Sequence, residues 1–299
     1  MGKDNNGFLI FIVAVLVIVV FFNIKPISNT GTQPSDETIS AGNTATTAEE
    51  IENQIEDLQQ DVADLGKEIE QAVLNEKRSP FFEKVTIDYI RTSYNNNASD
   101  EYVQLYSRDL DAPISLAGWK LRSRYTGISV DIPQTVSNTY LPNRQSLETQ
   151  LVLPSYSTVY LISTRSPVAE SFRINICTGY LEENYDFYPS LSLSCPYPID
   201  DSPITLTPST ETCVDFIKNM SRCKTNKEQL PASFSQQCTQ YINLELNYPH
   251  CVYRHRTDSN FYENKWFVYL DRGTTLWRDR NETIDLLDAD GKIVDTYTN

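Results

Sequence analysis

Short runs in which hydrophobic and polar residues alternate occupy much of the chain after residue 80. A period of two puts successive side chains on opposite faces of an extended strand, so these runs predict β-strands. Near the end, Thr283–Leu287 and Lys292–Tyr297 flank a turn sequence at Asp288–Gly291, which predicts a hairpin. Many short strands separated by turn residues predict an all-β sandwich. The other predicted strands are Val85–Tyr89, Tyr102–Tyr106, Gly118–Arg122, Ile128–Ile132, Thr158–Ser163, Arg173–Ile176 and Lys265–Leu270.

A continuous apolar run, Phe8–Phe22, lies near the N-terminus. With Gly7 and Ile24 it reaches the length of roughly 17–25 residues that spans a bilayer. A cleaved signal peptide would need small residues in an A-x-A-like pattern just after the run, and residues 23–31 supply none. We therefore predict a retained transmembrane signal anchor over residues 7–24, with the membrane as a partner.

The next two segments differ in their hydrophobic pattern. Residues 25–48 are rich in Ser, Thr, Asn and Gly and predict a flexible spacer. Residues 49–76 place apolar side chains at alternating steps of four and three, which is typical of a coiled coil and favours a parallel homodimer through residues 51–72. The alternative is a single amphipathic helix docked on its own domain. The seam residues are Ile51, Ile55, Leu58, Val62, Leu65, Ile69 and Ala72.

Charge is distributed unevenly over the 299 residues. The chain has 40 acidic and 25 basic residues, a formal net charge of −15. Residues 30–76 carry twelve acids and one Lys, a net of −11, whereas residues 77–299 carry 27 acids and 22 bases, a net of −5. Nucleic acids bind basic surfaces, so no nucleic-acid partner is expected.

The six cysteines all fall between Cys177 and Cys251, and an even number in a short region predicts a disulfide framework. Disulfides persist outside the cytosol. The chain is therefore expected to be a single-pass cell-membrane protein whose C-terminal domain lies outside the cytoplasm.

Two predicted helices lie among these cysteines. One runs from Thr212 to Ser221, the other follows a capping box at Ser233–Gln236, and together they predict a helical hairpin. An antiparallel hairpin brings the start of one helix beside the end of the other. The pairing that follows is Cys213–Cys251 and Cys223–Cys238, with Cys177–Cys195 separate; the alternative is sequential pairing, Cys213–Cys223 and Cys238–Cys251.

Three motifs resemble the lamin-tail domain, an immunoglobulin-like sandwich. They are the strand Glu101–Tyr106, the L-x-G-W-x-L strand Leu116–Leu121 and the hairpin Ile284–Asp295. Their order and spacing match the family, although Ser107 stands where the family often has Asn. The resemblance implies a lamin-tail domain over residues 84–298 with an insertion at residues 177–264. Anchor, coiled coil and lamin-tail domain together also resemble the plan of membrane-anchored bacterial proteins.

The strand pattern identifies core residues independently of this resemblance. Val103, Leu105, Trp119 and Leu121 fall at inward positions. Burying each such side chain is worth ~1.5–3 kcal/mol. Trp119 is therefore expected in the core rather than on a ligand platform.

Motifs of catalysis are not found. The sequence has no G-x-S-x-G, P-loop or G-x-G-x-x-G, so no catalytic residue and no cofactor is predicted, and the chain is expected not to be an enzyme. His250, Cys251 and His255 suggest zinc, but the cysteine framework favours a disulfide for Cys251. Asp288–Gly291 resembles the start of a calcium loop without its later acidic ligand, so a hairpin turn is preferred and no metal site is predicted.

A tyrosine-rich stretch of the insertion is the candidate binding surface. Tyr combines a large contact area with a polar tip, which suits a protein or glycan ligand. The alternative is an ordinary loop packed over the sandwich. The residues of this surface are Tyr180, Tyr185, Phe187, Tyr188 and Tyr197.

Taken together, these features predict a membrane-anchored interaction or adhesion module displayed on a coiled-coil stem. One alternative is a structural envelope component whose stems and sandwiches assemble with copies of themselves. Another is an accessory module of a secreted hydrolase system, because lamin-tail modules also occur appended to such enzymes. No catalytic domain accompanies this one, which counts against the last alternative.

Overall fold

The computed structural model describes residues 42–93, 97–142 and 146–299. The anchor predicted at residues 7–24 and most of the predicted spacer lie outside these residues. In the part of the chain that is described, none of the helices combines the length and the apolar character needed to cross a membrane.

The first described element is a long helix, α1 (Gly42–Lys77). It is rich in Ala, Glu, Gln and Leu, which are strong helix formers, and it begins within the region predicted as a spacer. The predicted seam lies on it, and its large apolar side chains from Ile55 to Ile69 are exposed, Val62 by 68%. The boundary between the two compact units of the chain follows Gly66, within α1. Coiled-coil pairing stays a prediction.

Strands dominate the rest of the described chain, and helical segments occur mainly in one insertion. The strands predicted from alternation are present, with shifts of a few residues at their ends. The strands are β1 (Val85–Arg91), β2 (Tyr102–Ser107), β3 (Ile114–Ser115), β4 (Lys120–Ser123), β5 (Ser129–Asp131), β6 (Thr135–Ser137), β7 (Glu148–Gln150), β8 (Val152–Leu153), β9 (Thr158–Ile162), β10 (Phe172–Asn175), β11 (Tyr262–Tyr269), β12 (Thr283–Leu287) and β13 (Ile293–Thr298).

Among the described residues the longer strands form two sheets that share a core, as in a β-sandwich. The larger has seven strands in the order β1-β2-β9-β11-β10-β6-β7, and the smaller has four in the order β13-β12-β4-β5. β9 and β11 pair in parallel, as do β6 and β10, whereas the predicted β12–β13 hairpin is antiparallel. The sequence pattern missed β3, β6, β7 and β8, each of which is only two or three residues long.

Inward side chains of both sheets meet in one hydrophobic core. Val103, Leu105 and Leu121 are fully buried there, and Trp119 is 2% exposed. The Trp119 ring packs on Phe81, with ring centroids 5.6 Å apart. The prediction that these residues form the core is confirmed.

Ser107, at the end of β2, fixes the turn beside it. Its hydroxyl donates to the Pro154 carbonyl at 2.7 Å and accepts from the Ser157 N–H at 2.8 Å. Ser107 is fully buried, and the Ser157 N–H relies on its hydroxyl for an acceptor, whereas the Pro154 carbonyl also accepts from the Ser157 hydroxyl at 2.6 Å.

The insertion between β10 and β11 covers part of the outer face of the large sheet. Alternation along β11 places Trp266 and Val268 in the core between the sheets. The same alternation places Phe267 and Tyr269 in a second core beneath the insertion. The second half of β11 is therefore buried on both faces.

The insertion has three α-helices rather than the predicted two-helix hairpin: α2 (Glu211–Asn219), α3 (Gln236–Gln240) and α4 (Tyr248–His255). A π-helical turn, Tyr241–Glu245, follows α3. The cap of α3 is Ser235, whose side chain accepts the Cys238 N–H at 3.2 Å, and not Ser233. Asn247 caps a separate helix, α4. The second predicted helix therefore ends well before Cys251.

The six cysteines form three disulfides, as expected, but the predicted pairing was wrong. The bonds are Cys177–Cys251, Cys195–Cys223 and Cys213–Cys238. The prediction assumed that a single second helix begins near Cys238 and ends just before Cys251, which would bring Cys251 back beside Cys213. Because the chain breaks before α4, Cys251 packs in the second core beside Cys177, while Cys213 and Cys238 pack in a third core within the insertion.

Candidate binding surface

Two of the five residues predicted to form a binding surface are buried. Tyr180 is 5% and Phe187 is 4% exposed, and both belong to the second core. Phe187 packs edge-on against Phe172 of β10, with ring centroids 5.9 Å apart. A short 3-10 helix of six residues, Thr178–Glu183, buries Tyr180 as the chain leaves the sheet. For these two residues the prediction of a surface role was wrong, because the second core needs large side chains to cover the sheet.

Tyr185 and Tyr197 are exposed, but each packs against a different neighbouring side chain. Tyr185 packs edge-on against Phe187 with centroids 6.2 Å apart. Tyr197 lies beneath the Arg222 guanidinium, 4.4 Å from its ring centroid. Among the described residues, no ring contact joins either of them to Tyr188.

Tyr188, in contrast, lies against tyrosines of the large sheet that were not among the five predicted residues. Its ring centroid is 5.9 Å from that of Tyr102 on β2. Tyr102 also contacts Tyr89 on β1 at 5.9 Å and Tyr160 on β9 at 5.6 Å. The Arg91 guanidinium lies 5.1 Å from the Tyr188 centroid. We call Tyr89, Arg91, Tyr102, Tyr160 and Tyr188 the tyrosine face.

The strand register explains how these residues meet. Ile90, Val103 and Leu161 face the inter-sheet core, so the neighbouring residues on β1, β2 and β9 point outward. Arg91 is directly opposite Tyr102 in the β1–β2 pairing. The insertion covers the outer face at β10 and β11 and leaves β1, β2 and β9 partly open, with Tyr188 at its edge. The sequence contained a signal for this face, because its three sheet tyrosines occupy outward positions of predicted strands.

The tyrosine face is mixed in polarity. Burial raises the pKa of the Tyr102 phenol above its usual value, and Tyr89 and Tyr188 add to the shift. That phenol therefore remains protonated and can donate a hydrogen bond at neutral pH. Arg91 adds a cation beside the rings. Tilted and edge-on rings with hydroxyl tips and one cation suit sugar rings or the side chains of a protein.

A polar cleft adjoins the tyrosine face at Tyr89 and Arg91. Its volume is about 430 Å³, and Asp279, Arg280 and Asn281 also line it. The Thr92 hydroxyl donates to the Asp279 carboxylate at 3.3 Å and links the two walls. The cleft therefore adds hydrogen-bonding groups beside the tyrosine face.

The residues considered for zinc have other partners. Cys251 is bonded to Cys177. His255 lies between two carboxylates, 2.9 Å from Asp201 through Nε2 and 2.8 Å from Asp258 through Nδ1. Within the described ranges, no group of three or more His, Cys, Asp or Glu side chains is arranged to hold a metal ion.

The Asp288–Gly291 segment is the turn of the β12–β13 hairpin. The Asp288 carboxylate accepts the backbone N–H groups of Asp290 at 3.0 Å and Lys292 at 2.9 Å. Gly291 has φ +77°, a conformation that glycine adopts readily. This carboxylate therefore stabilises the turn that was preferred over a calcium loop.

Sequence reasoning also missed two fully buried glutamates, Glu101 and Glu282. Glu101 accepts bonds from the Ser163 hydroxyl and from the Leu276 and Trp277 N–H groups. Burial raises the pKa of Glu101, and these hydrogen bonds oppose the shift. Their partners are groups of the fold itself, so both glutamates hold loops in place.

Comparisons with protein-family models, with curated proteins and with solved structures found no match for this chain.

Proposed function

We propose that this chain is a non-enzymatic, membrane-anchored interaction or adhesion module, held outside the cytoplasm on a coiled-coil stem. The observation that carries the proposal is the tyrosine face: four contacting tyrosines and Arg91 on an outer sheet surface. Such a surface combines contact area with hydrogen-bonding tips, as binding surfaces rich in Tyr do. The ligand class we infer is a protein or a glycan.

Three further features support the proposed location and the proposed family of the chain. The apolar run at residues 7–24 has the length of a membrane anchor. The three disulfides favour an oxidising compartment, such as the cell exterior. The two sheets and the β12–β13 hairpin agree with the lamin-tail resemblance of the sequence, which we propose as the family of the sandwich.

The stem is proposed to pair with a second copy through its seam. Ile55, Leu58 and Val62 on α1 are between 48% and 68% exposed. A row of exposed apolar residues at heptad spacing is best buried against another helix. Cross-linking and sedimentation of the full-length chain in detergent should detect a dimer. Val62→Lys should weaken it, and Gln60→Lys, outside the seam, should not; a monomer at high concentration would exclude pairing.

The seam also favours a second candidate function, a self-assembling component of the cell envelope. In that case the chain should form ordered assemblies larger than a dimer. Electron microscopy of the full-length chain on lipid bilayers distinguishes the two functions, because the adhesion module needs no order beyond the dimer.

The test of adhesion uses the tyrosine face itself. The full-length chain is screened on a glycan array and against intact bacterial cells. Tyr89→Ala with Arg91→Ala should lower binding by at least ~5-fold, the effect expected of a contact worth about 1 kcal/mol. Tyr253→Ala, an exposed tyrosine on α4, is the matched control. No ligand in either screen, or equal losses in both variants, would count against the proposal.

A further inference from the structure

The outer face of the four-stranded sheet carries two arginines around one buried carboxylate. The Asp285 side chain is 1% exposed. Its Oδ2 accepts a bond of 3.0 Å from Arg122 Nη2, and its Oδ1 accepts one of 2.8 Å from Arg124 Nε. A third donor, the Thr296 hydroxyl, lies 2.8 Å from Oδ1. The carboxylate thus fixes both guanidinium groups.

This arrangement follows from the register of the sheet. Asp285 of β12 is opposite Arg122 of β4 on one side and Thr296 of β13 on the other. Burial would raise the pKa of Asp285, but the hydrogen bonds from Arg124 and Arg122 outweigh it and hold the pKa below its usual value. Asp285 is therefore ionised at neutral pH and holds the two cations in place.

A cleft of about 620 Å³ opens beside these groups. Lys77, at the end of α1, and Lys292, just before β13, line it together with both arginines. Four cations and one carboxylate give the cleft a formal charge of +3, whereas residues 77–299 as a whole carry −5. Within the described residues, neither lysine takes part in an ion pair.

The cleft also keeps donors and space available for a ligand. Arg122 bonds Asp285 through Nη2, which leaves its Nε and Nη1 groups for another partner. Gly127 and Gly291 lie on the rim, and no heavy atom lies within 4 Å of the position that a Cβ would take at either. Their φ angles of +73° and +77° favour glycine, so no side chain narrows the rim of the cleft at these two positions.

We propose that this cleft binds a polyvalent oxyanion of the phosphate or sulfate type. A fixed guanidinium offers the planar donor geometry that such anions accept, and the two lysines add point charges. The net charge of +3 favours a dianionic group over a single carboxylate. The site lies on the smaller sheet and does not depend on the role proposed for the tyrosine face.

The test is calorimetric titration of the full-length chain with inorganic pyrophosphate. Binding is expected, and Lys292→Gln should weaken it ~5-fold and Arg122→Gln ~10-fold, through loss of a charge and of a charge-assisted hydrogen bond. Lys120→Gln is the matched control, because Lys120 also lies on β4 but pairs with Asp131 at 2.8 Å and is not part of the cleft. It should change the affinity less than ~2-fold.

Two further titrations distinguish the sources of the anion. Preferential binding of a sulfated oligosaccharide would identify a glycan, and binding of vesicles that contain phosphatidic acid would identify a lipid headgroup. Thermal unfolding checks that Arg122→Gln still folds, and Lys292→Gln leaves the Asp285 cluster intact. The proposal is wrong if none of the three probes binds, or if Lys120→Gln weakens binding as much as Lys292→Gln does.

Discussion

The backbone N–H of Ile87 donates a 2.7 Å hydrogen bond to the carboxylate of Asp295, and this bond joins β1 of the large sheet to β13 of the small sheet. The segment before β1 reinforces the connection, because Ser79 and Glu83 donate their N–H groups to the Ile293 and Val294 carbonyls. Backbone groups at one edge strand of each sheet, β1 and β13, thus find partners within the chain, which protects these two edges from pairing with other chains.

Removal of the Asp295 carboxylate should destabilise the sandwich. Asp295→Ala leaves the Ile87 N–H without its acceptor, and an unsatisfied buried donor costs about 1–3 kcal/mol. The free energy of unfolding in urea measures the loss. Asp131→Ala, at an exposed carboxylate on β5, should change it by less than ~0.5 kcal/mol. Equal values for the two variants would show that the bond between the sheets contributes nothing.

Glu101 should be needed to hold the loop before β12. Its carboxylate accepts the Ser163 hydroxyl at 2.6 Å and the Leu276 and Trp277 N–H groups at 2.7 and 3.2 Å. Glu101→Leu leaves three donors unpaired and should cost about 3 kcal/mol or more. Glu101→Gln keeps one acceptor oxygen and should lie between that variant and the wild type in a denaturant titration. A Leu variant as stable as the Gln variant would contradict this role.

The stability of the insertion should depend on the protonation of His255. Burial lowers the pKa of His255, but its hydrogen bonds to Asp201 and Asp258 outweigh this and raise the pKa above its usual value. The imidazolium therefore stabilises the folded state fully below pH ~6.5, its unfolded pKa, and the contribution is lost as the pH rises through the raised folded pKa.

Thermal unfolding at pH 6 and pH 9 measures this effect. His255→Gln should be less stable than the wild type at pH 6, by ~0.2–1 kcal/mol, and the difference should shrink at pH 9. Asp258→Asn leaves one carboxylate and should keep part of the pH dependence. A difference that stays constant between the two pH values would exclude a charged His255.

The disulfides should differ in their contribution to stability. Cys177–Cys251 spans 74 residues and Cys213–Cys238 spans 25. In the chain-entropy description, the longer loop should contribute about 1 kcal/mol more. Paired Cys→Ala variants, compared by the midpoint of urea unfolding, measure the difference.

Peptide mapping of the non-reduced chain checks the pairing itself. Peptides that contain Cys177 should be linked to those that contain Cys251, and Cys195 should be linked to Cys223. Recovery of a Cys177–Cys195 link would contradict this pairing.

Local patterns in the sequence were sufficient for much of the fold. Alternation along β1, β2, β4 and β12 predicted both the strands and the burial of Trp119, because each strand has one face against the core. The even number of cysteines indicated three disulfides, because cysteines in an oxidising compartment generally pair.

Local features could thus be inferred from the order of residues: the strands, the buried face of each strand, and a long helix with an apolar seam before the sandwich. Which distant residues meet became clear from the folded chain alone. The break before α4 places Cys251 beside Cys177, and the insertion covers β10 and β11 but leaves Tyr89, Tyr102 and Tyr160 open to Tyr188. Such contacts depend on how whole elements pack, and a one-dimensional pattern of polarity carries no information about which elements become neighbours.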